Sequence, residues 1–269
     1  MIRFVRCAVQ ALCPIPSLGI AQSFDKGLIA YDAGNYAGAF DAWKPLAEAG
    51  NAAAQNYLGE MYSDGFGVPQ DYTEAAKWYR LAAEQGEMQA QSTLGFLYLV
   101  GFGLPKDYGE ALKWHQLAAE QGHPLSQSVL GTFYEGGVQV SRDYGEAANW
   151  YRLAAEQGLE DAQLRLGLLY LSGEGVPQNY TEAMKWFSRA AAQGNGSAQY
   201  NLGVGYTNGS GVPKNYAKAY TWTSVAVASG EQNAVKWLDH LKELMSSDEM
   251  LKAKVLALVC IASSYQECE

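Results

Sequence analysis

The residues able to do chemistry are few, and their spacing says more than their number. Ser23-Phe-Asp-Lys26 fits S-x-x-K, in which a lysine three positions on activates a serine nucleophile. The companion S-D-N and K-T-G motifs are absent, and one four-residue match arises easily by chance. The chain has three histidines, His115, His123 and His240. None stands in a metal-binding pattern such as H-E-x-x-H. Gly65-x-Gly67 recurs down the chain as loop punctuation rather than as a phosphate cradle, and neither a P-loop nor G-x-G-x-x-G is present. No catalytic, metal or cofactor residue is therefore assigned, and the expectation is a protein that is not an enzyme.

Charge and the two ends narrow the field. Formal net charge is −9 and the pI about 4.9. An acidic chain repels phosphate backbones, which argues against nucleic acid as a partner. At the N-terminus Arg3 and Arg6 precede a mostly apolar stretch from Val5 to Ala21, and Gly19-Ile20-Ala21 sets small residues before Gln22. That is the layout of a secretory leader over residues 1–21. It implies a periplasmic or secreted protein; the alternative is a cytosolic protein that keeps its N-terminus. No later stretch reaches about 18 apolar residues, so no membrane insertion is expected once the leader is gone. Its removal takes away Cys7 and Cys13 and leaves Cys260 and Cys268. An even pair in an exported chain suggests a disulfide, the alternative being two free thiols in a frayed tail.

Between the ends lies a repeat. Tyr36, Tyr72, Tyr108, Tyr144, Tyr180 and Tyr216 are each 36 residues apart. Gly50 to Gly230 and Leu58 to Leu238 hold the same step. A fixed period of this size marks stacked supersecondary units that bury their apolar faces on one another. In residues 51–86, Ala54, Leu58, Met61 and Tyr62 share one face of a first helix, which Gly65 stops. Gly59 allows a neighbouring helix to come close. Gly65 to Pro69 is a loop, Asp71 with Glu74 predicts a capping box, and Ala75, Trp78, Tyr79, Ala82 and Ala83 form the buried stripe of a second helix. Asp107/Glu110, Asp143/Glu146 and Asn179/Glu182 repeat the pairing. Trp78, Trp114, Trp150 and Trp186 are read as core residues.

The pattern A-x-x-x-L-G-x-x-Y-x-x-G-x-G-V-P-x-D-Y-x-x-A-x-x-W-Y-x-x-A-A-x-x-G resembles the Sel1-like repeat, a relative of the tetratricopeptide repeat. It stands almost whole at 54–86, 90–122, 162–194 and 198–230. In the third unit Gln139 and Ser141 replace the second Gly and the Pro, so that loop is expected to differ in shape. The resemblance implies an all-α solenoid. A tetratricopeptide-like pair falls over 22–50, five repeats over 51–86, 87–122, 123–158, 159–194 and 195–230, and capping helices over 231–269 with a helix at Leu251–Ala262. It further implies a scaffold or adaptor for other proteins, and exported members look like signalling or host-interaction factors. Cysteine-rich relatives place seven residues between paired Cys, as Cys260 and Cys268 have here. Some of them bind β-lactams, which keeps a hydrolase as a minor alternative.

In tetratricopeptide-type stacks the first helices line the inner surface. Positions two residues on from a core position point about 200° away from it. In the fourth repeat those are Leu164, Leu168 and Leu171; the second offers Phe96 and Leu99, the fifth Tyr200 and Val204. Apolar residues on the far side of a helix need their own reason. These seven are therefore the candidate groove for a protein or peptide. The competing reading is that a tightly wound stack packs them against each other.

Overall fold

The computed structural model describes residues 17–265 and 268. The expected leader lies outside the described residues as far as residue 16; from Ser17 onward the chain is helical. The described residues form fourteen helices and no strand. They fall into two compact units that divide between Pro105 and Lys106. The first holds α1 (Ser17–Asp32), α2 (Tyr36–Glu48), α3 (Ala52–Asp64), α4 (Tyr72–Glu84) and α5 (Met88–Val100). The second holds α6 (Tyr108–Glu120), α7 (Pro124–Gly136), α8 (Tyr144–Glu156), α9 (Glu160–Ser172), α10 (Tyr180–Ala191), α11 (Gly196–Asn208), α12 (Tyr216–Ala228), α13 (Gln232–Leu244) and α14 (Ser247–Ala262). Within each unit successive helices through α13 pack on one another, and α14 lies along α12. This is the all-α helix-pair solenoid that the 36-residue step predicts.

The helix starts differ from expectation in one respect. Asp71 caps α4, its carboxylate accepting the N–H groups of Thr73 at 2.8 Å and Glu74 at 3.1 Å. The reciprocal half of a capping box is not formed. The Asp71 N–H donates instead to the Tyr62 carbonyl at 2.8 Å, and Glu74 pairs with Lys77. Asp143 and Asn179 likewise donate to the carbonyls of Tyr134 and Tyr170, at 3.0 and 2.9 Å. The cap residue thus closes its own loop, leaving no donor for the acid three places on. A full capping box occurs at Ser246 and Glu249, and it starts α14 at Ser247, four residues before Leu251.

Close approach explains the recurring glycines. A Cβ on Gly167 would lie 2.6 Å from the Phe187 ring, so α9 and α10 meet only because that atom is missing. Gly175 sits at φ +71°, where a Cβ would lie 2.1 Å from the Tyr144 carbonyl carbon at the start of α8. The loop of one repeat therefore presses on backbone of the repeat before it. In the third repeat Gln139 holds φ +60°, the same left-handed region as Gly67 and Gly175, so the backbone there does not change shape as expected.

Five buried glutamines, Gln55, Gln91, Gln127, Gln163 and Gln199, carry the polar part of the core. Each donates its side-chain amide to a carbonyl eight residues back, at the end of the preceding second helix: Ala47, Ala83, Ala119, Ala155 and Ala191, at 3.0 to 3.2 Å. The Oε1 atoms of Gln55, Gln127 and Gln163 accept from Gln85, Gln157 and Gln193, and that of Gln199 from Ser229. Around this ladder the apolar core repeats. In the first unit Trp43, Leu58 and Met61 are fully buried, and the Trp43 indole N–H donates to the Phe24 carbonyl at 3.1 Å. In the second, Tyr151, Leu166, Phe187 and Leu202 are buried in the same way. Trp114 and Trp186 are buried, while Trp78 and Trp150 are half-buried at the edge of the stripe. Cys260, on α14, is joined to Cys268 by a disulfide.

A left-handed φ costs an L-residue with a Cβ about 1 kcal/mol or more that glycine avoids. Gln139→Gly is expected to stabilise the protein by about 1 kcal/mol, read as a higher denaturant midpoint at unchanged slope. An unchanged or lower midpoint contradicts that account of the loop.

Candidate functional site

Helix α9 holds the centre of the candidate face. Ala162, Leu166 and Leu169 turn into the core, which fixes where the remaining positions point. Leu168 faces solvent at 40% exposure. Leu164 and Leu171, chosen on the same angular rule, are half-buried and pack on the core cluster that runs from α10 to α14. On α11, Tyr200 and Val204 are half-buried, and the Tyr200 ring meets Trp237 of α13 edge-on at 6.4 Å. In the first unit, Phe96 on α5 is 51% exposed and Leu99 is half-buried. In the second unit Leu164, Leu171, Tyr200 and Val204 are thus partly covered, while Leu168 stays open; in the first unit Phe96 is open.

Leu168, Leu169, Leu171 and Ser172 line a cavity of about 330 Å³ together with Glu135, Arg165 and Glu174. A neighbouring cavity of about 240 Å³ shares Leu171 and adds Val204, Asn201, Asn208 and Tyr180. Arg165 donates to Glu135 at 3.1 Å and to Asp161 at 3.0 Å. The Tyr151 hydroxyl donates to the same Glu135 oxygen at 2.5 Å and lies 3.1 Å from Thr132 Oγ1. Burial, reinforced by the bond to Glu135, pushes the Tyr151 hydroxyl well above its ordinary pKa, so it stays a donor. Arg165 is thus tied down by two carboxylates, while Glu174 bonds only short-range to Ser172. The result is a leucine floor with an acidic rim. The Tyr151–Glu135–Arg165 chain was not foreseen; its only sequence trace is that position 135 breaks the pattern of its column.

A stack of helix pairs with a partly apolar first-helix face and conserved spacing of its own repeat defines a helical-repeat protein. The Sel1 repeat profile matches residues 52–87, 89–123, 124–159, 160–195 and 196–231, and the chain belongs to the Sel1 repeat family. The chain is 34% identical to c5321, a protective antigen present in uropathogenic Escherichia coli strains that displays an SLR fold. That match has a TM-score of 0.79 and covers 93% of this chain but only 53% of c5321, so the chain spans about half the length of that relative. A Sel1 repeat protein from Oxalobacter formigenes is also 34% identical, with a TM-score of 0.75 over 86% of this chain and 94% of its own. No curated protein matches the chain.

The remaining chemistry-bearing residues do not converge on this face. Ser23 is half-buried and Lys26 exposed, both within α1. Among the described residues no three of His, Cys, Asp and Glu are grouped to hold a metal ion. His115 takes the aromatic place of its column on α6, 2% exposed, with Nδ1 3.1 Å from Ser126 Oγ. Ser126 is fully buried, so this His–Ser pair is sealed from any substrate. Burial, with the nearby His123, lowers the His115 pKa from 6.5 to about 4. The unfolded chain binds that proton near pH 6.5 and the folded chain only near pH 4. Stability from this residue is therefore fully present above about pH 6.5 and falls as the pH drops toward 4, by about 3 kcal/mol in all. His115→Phe, the aromatic that Phe187 supplies in the fourth repeat, is expected to flatten the denaturant midpoint between those pH values. Equal slopes for the two proteins would show that His115 is not the cause.

Proposed function

We propose that the protein is an exported scaffold that binds a protein or peptide bearing apolar and basic residues, held on the first-helix face of the second unit. The observation that carries this is the open Leu168 beside Leu171, floored by leucine and rimmed by Glu135 and Glu174, with the single Arg165 paired to Glu135 and to Asp161. Apolar contact supplies affinity and the acidic rim selects a basic partner. Membership of a repeat family whose fold typically mediates protein–protein contacts supports the same reading. Phe96 and Leu99 of the first unit remain part of the proposed surface as separate contact points, and no enzymatic role is assigned.

Three features support export: the leader-like residues 1–21, the Cys260–Cys268 disulfide, which suits an oxidising compartment, and the likeness to a protective antigen. A periplasmic or secreted address fits them, with host interaction or signalling as the setting. A second reading, a cytosolic adaptor with an intact N-terminus, draws on α1, which already runs from Ser17 and so spans the expected cut. Among the described residues no helix is long and apolar enough to cross a membrane.

Two experiments test the proposal. Capture from the native host is expected to yield a partner whose affinity falls at least tenfold for Leu168→Asp with Leu171→Ser, about 1.4 kcal/mol. Circular dichroism checks that the variant is folded, and unchanged binding by a folded variant removes the face. N-terminal sequencing of the native protein is expected to begin at Gln22; a chain that begins at Met1 sinks export and favours the adaptor.

A further inference from the structure

Helix α14 is apolar on two opposite sides, and among the described residues only one of them has a partner. Ala253, Ala257 and Cys260 are buried where the helix lies along α12. At 100° per residue, Leu251, Val255, Leu258 and Ala262 fall within about 60° of one another on the other side. Leu251 is 64% exposed, Val255 54% and Leu258 68%, with Val259 and Ile261 exposed on the flanks. A helix that is apolar all round is a buried helix. The solvent face of the last helix described in a stack is ordinarily polar, because solubility requires it.

We propose that this face pairs with the same face of a second copy of the chain, α14 against α14, antiparallel about a twofold axis. The 4-3-4 spacing of Leu251, Val255, Leu258 and Ala262 is the seam by which two helices interdigitate. Charge favours a second copy over other occupants. The chain carries −9, yet the charged residues of α14 are Asp248, Glu249, Lys252 and Lys254, which sum to zero. Two acidic copies therefore meet where they do not repel. The antiparallel sense sets Val255 against the partner's Leu258 and keeps the two Asp248 side chains at opposite ends. Lys252 and Lys254 then lie beside the partner's Val259 and the partner's Ile261, where their stems cover apolar surface and no ammonium faces another. A parallel pair would bring Asp248 next to its own copy and align the two helix dipoles unfavourably.

The exposed side chains of α14 amount to roughly 500–600 Å² of apolar surface, the top of what a lone monomer leaves bare. Two copies bury at most about 1,000 Å², the threshold of a specific interface, so a weak, concentration-dependent dimer is expected. The pairing does not depend on the binding face of α9 and α11, and a failure of either leaves the other standing.

Light scattering and sedimentation equilibrium of the full chain, from about 1 to about 100 µM, read the result directly. The expected outcome is a rise from the mass of one chain, 29.2 kDa, to twice that and no further. Leu251→Lys with Leu258→Lys alters two exposed positions, so helicity by circular dichroism is expected to stay the same while the dimer weakens at least thirtyfold. Leu168→Asp is expected to dimerise as the parent does. The pairing is overturned by a parent that stays monomeric at the highest concentration, by a lysine variant that still dimerises, or by a mass that climbs past two chains, which would mean head-to-tail stacking instead.

Discussion

The glutamine ladder is the interaction on which the stacking depends. A buried side-chain amide left without partners costs roughly 1–3 kcal/mol, so each core glutamine must find both a donor and an acceptor. The second helices α2, α4, α6, α8 and α10 each end against a buried glutamine of the next first helix. At the end of α8 the Ala155 carbonyl already accepts the Gly158 N–H at 3.1 Å; Gln163 donates a second hydrogen bond to it and takes one from Gln193 at the end of its own pair. Within each unit a repeat thus completes the one before it and is completed by the one after. A single pair would leave both ends of this chain of bonds open, so stability is a property of neighbours rather than of units. The polar ladder also fixes register. Sliding one helix by a turn would leave leucine contacts roughly as good but would strand a buried amide, a larger loss than a shifted methyl contact.

Backbone approach works with the ladder in the same direction. Gly175 rests on the first turn of α8 and Gly211 on the first turn of α10, each where a Cβ would strike a tyrosine carbonyl. Those contacts set the offset of one repeat against the last through main chain alone. Side chains on the outer helix faces are then free to vary without altering the stack. The same economy applies at the loop, where Asp143 or Asn179 spends its N–H on the preceding tyrosine carbonyl and its side chain on the helix start.

The sequence displayed the parts of this scheme that are apolar or conformational. Tyrosine, leucine and glycine columns at a 36-residue step gave the helix pairs, their turns and the close approach at Gly167. The glutamine column keeps the same step at 55, 91, 127, 163 and 199. It escaped notice because glutamine is neutral in hydropathy and common on helix surfaces, so nothing marks it as buried until its partners are known. The capping box was misplaced for a related reason. Asp followed by Glu three residues on looks the same whether or not the cap's own N–H is already taken, and the competing acceptor, Tyr62, lies outside the four-residue motif.

The candidate face shows where such reading stops. An angle of about 200° from the core separates inward from outward on an isolated helix, but a stacked helix has neighbours on three sides. The column of Ser63, Leu99, Glu135, Leu171 and Thr207 breaks step and so looks free to choose a partner. In the structure three of its members are already engaged: Glu135 with Tyr151 and Arg165, Leu171 with the next core cluster, Thr207 as acceptor for the Trp237 indole at 3.2 Å. The column of Ser92, Ser128 and Leu164 is partly or wholly buried too. What remains open is the column between them, where Phe96, Thr132 and Leu168 face solvent. Variation along a repeat therefore has two physical sources, since a residue can differ because its local neighbours differ or because a partner reads it. Phe96 and Leu168 are the positions least subject to the first cause, whereas Thr132 in the same column already bonds the Ser128 carbonyl and lies 3.1 Å from the Tyr151 hydroxyl.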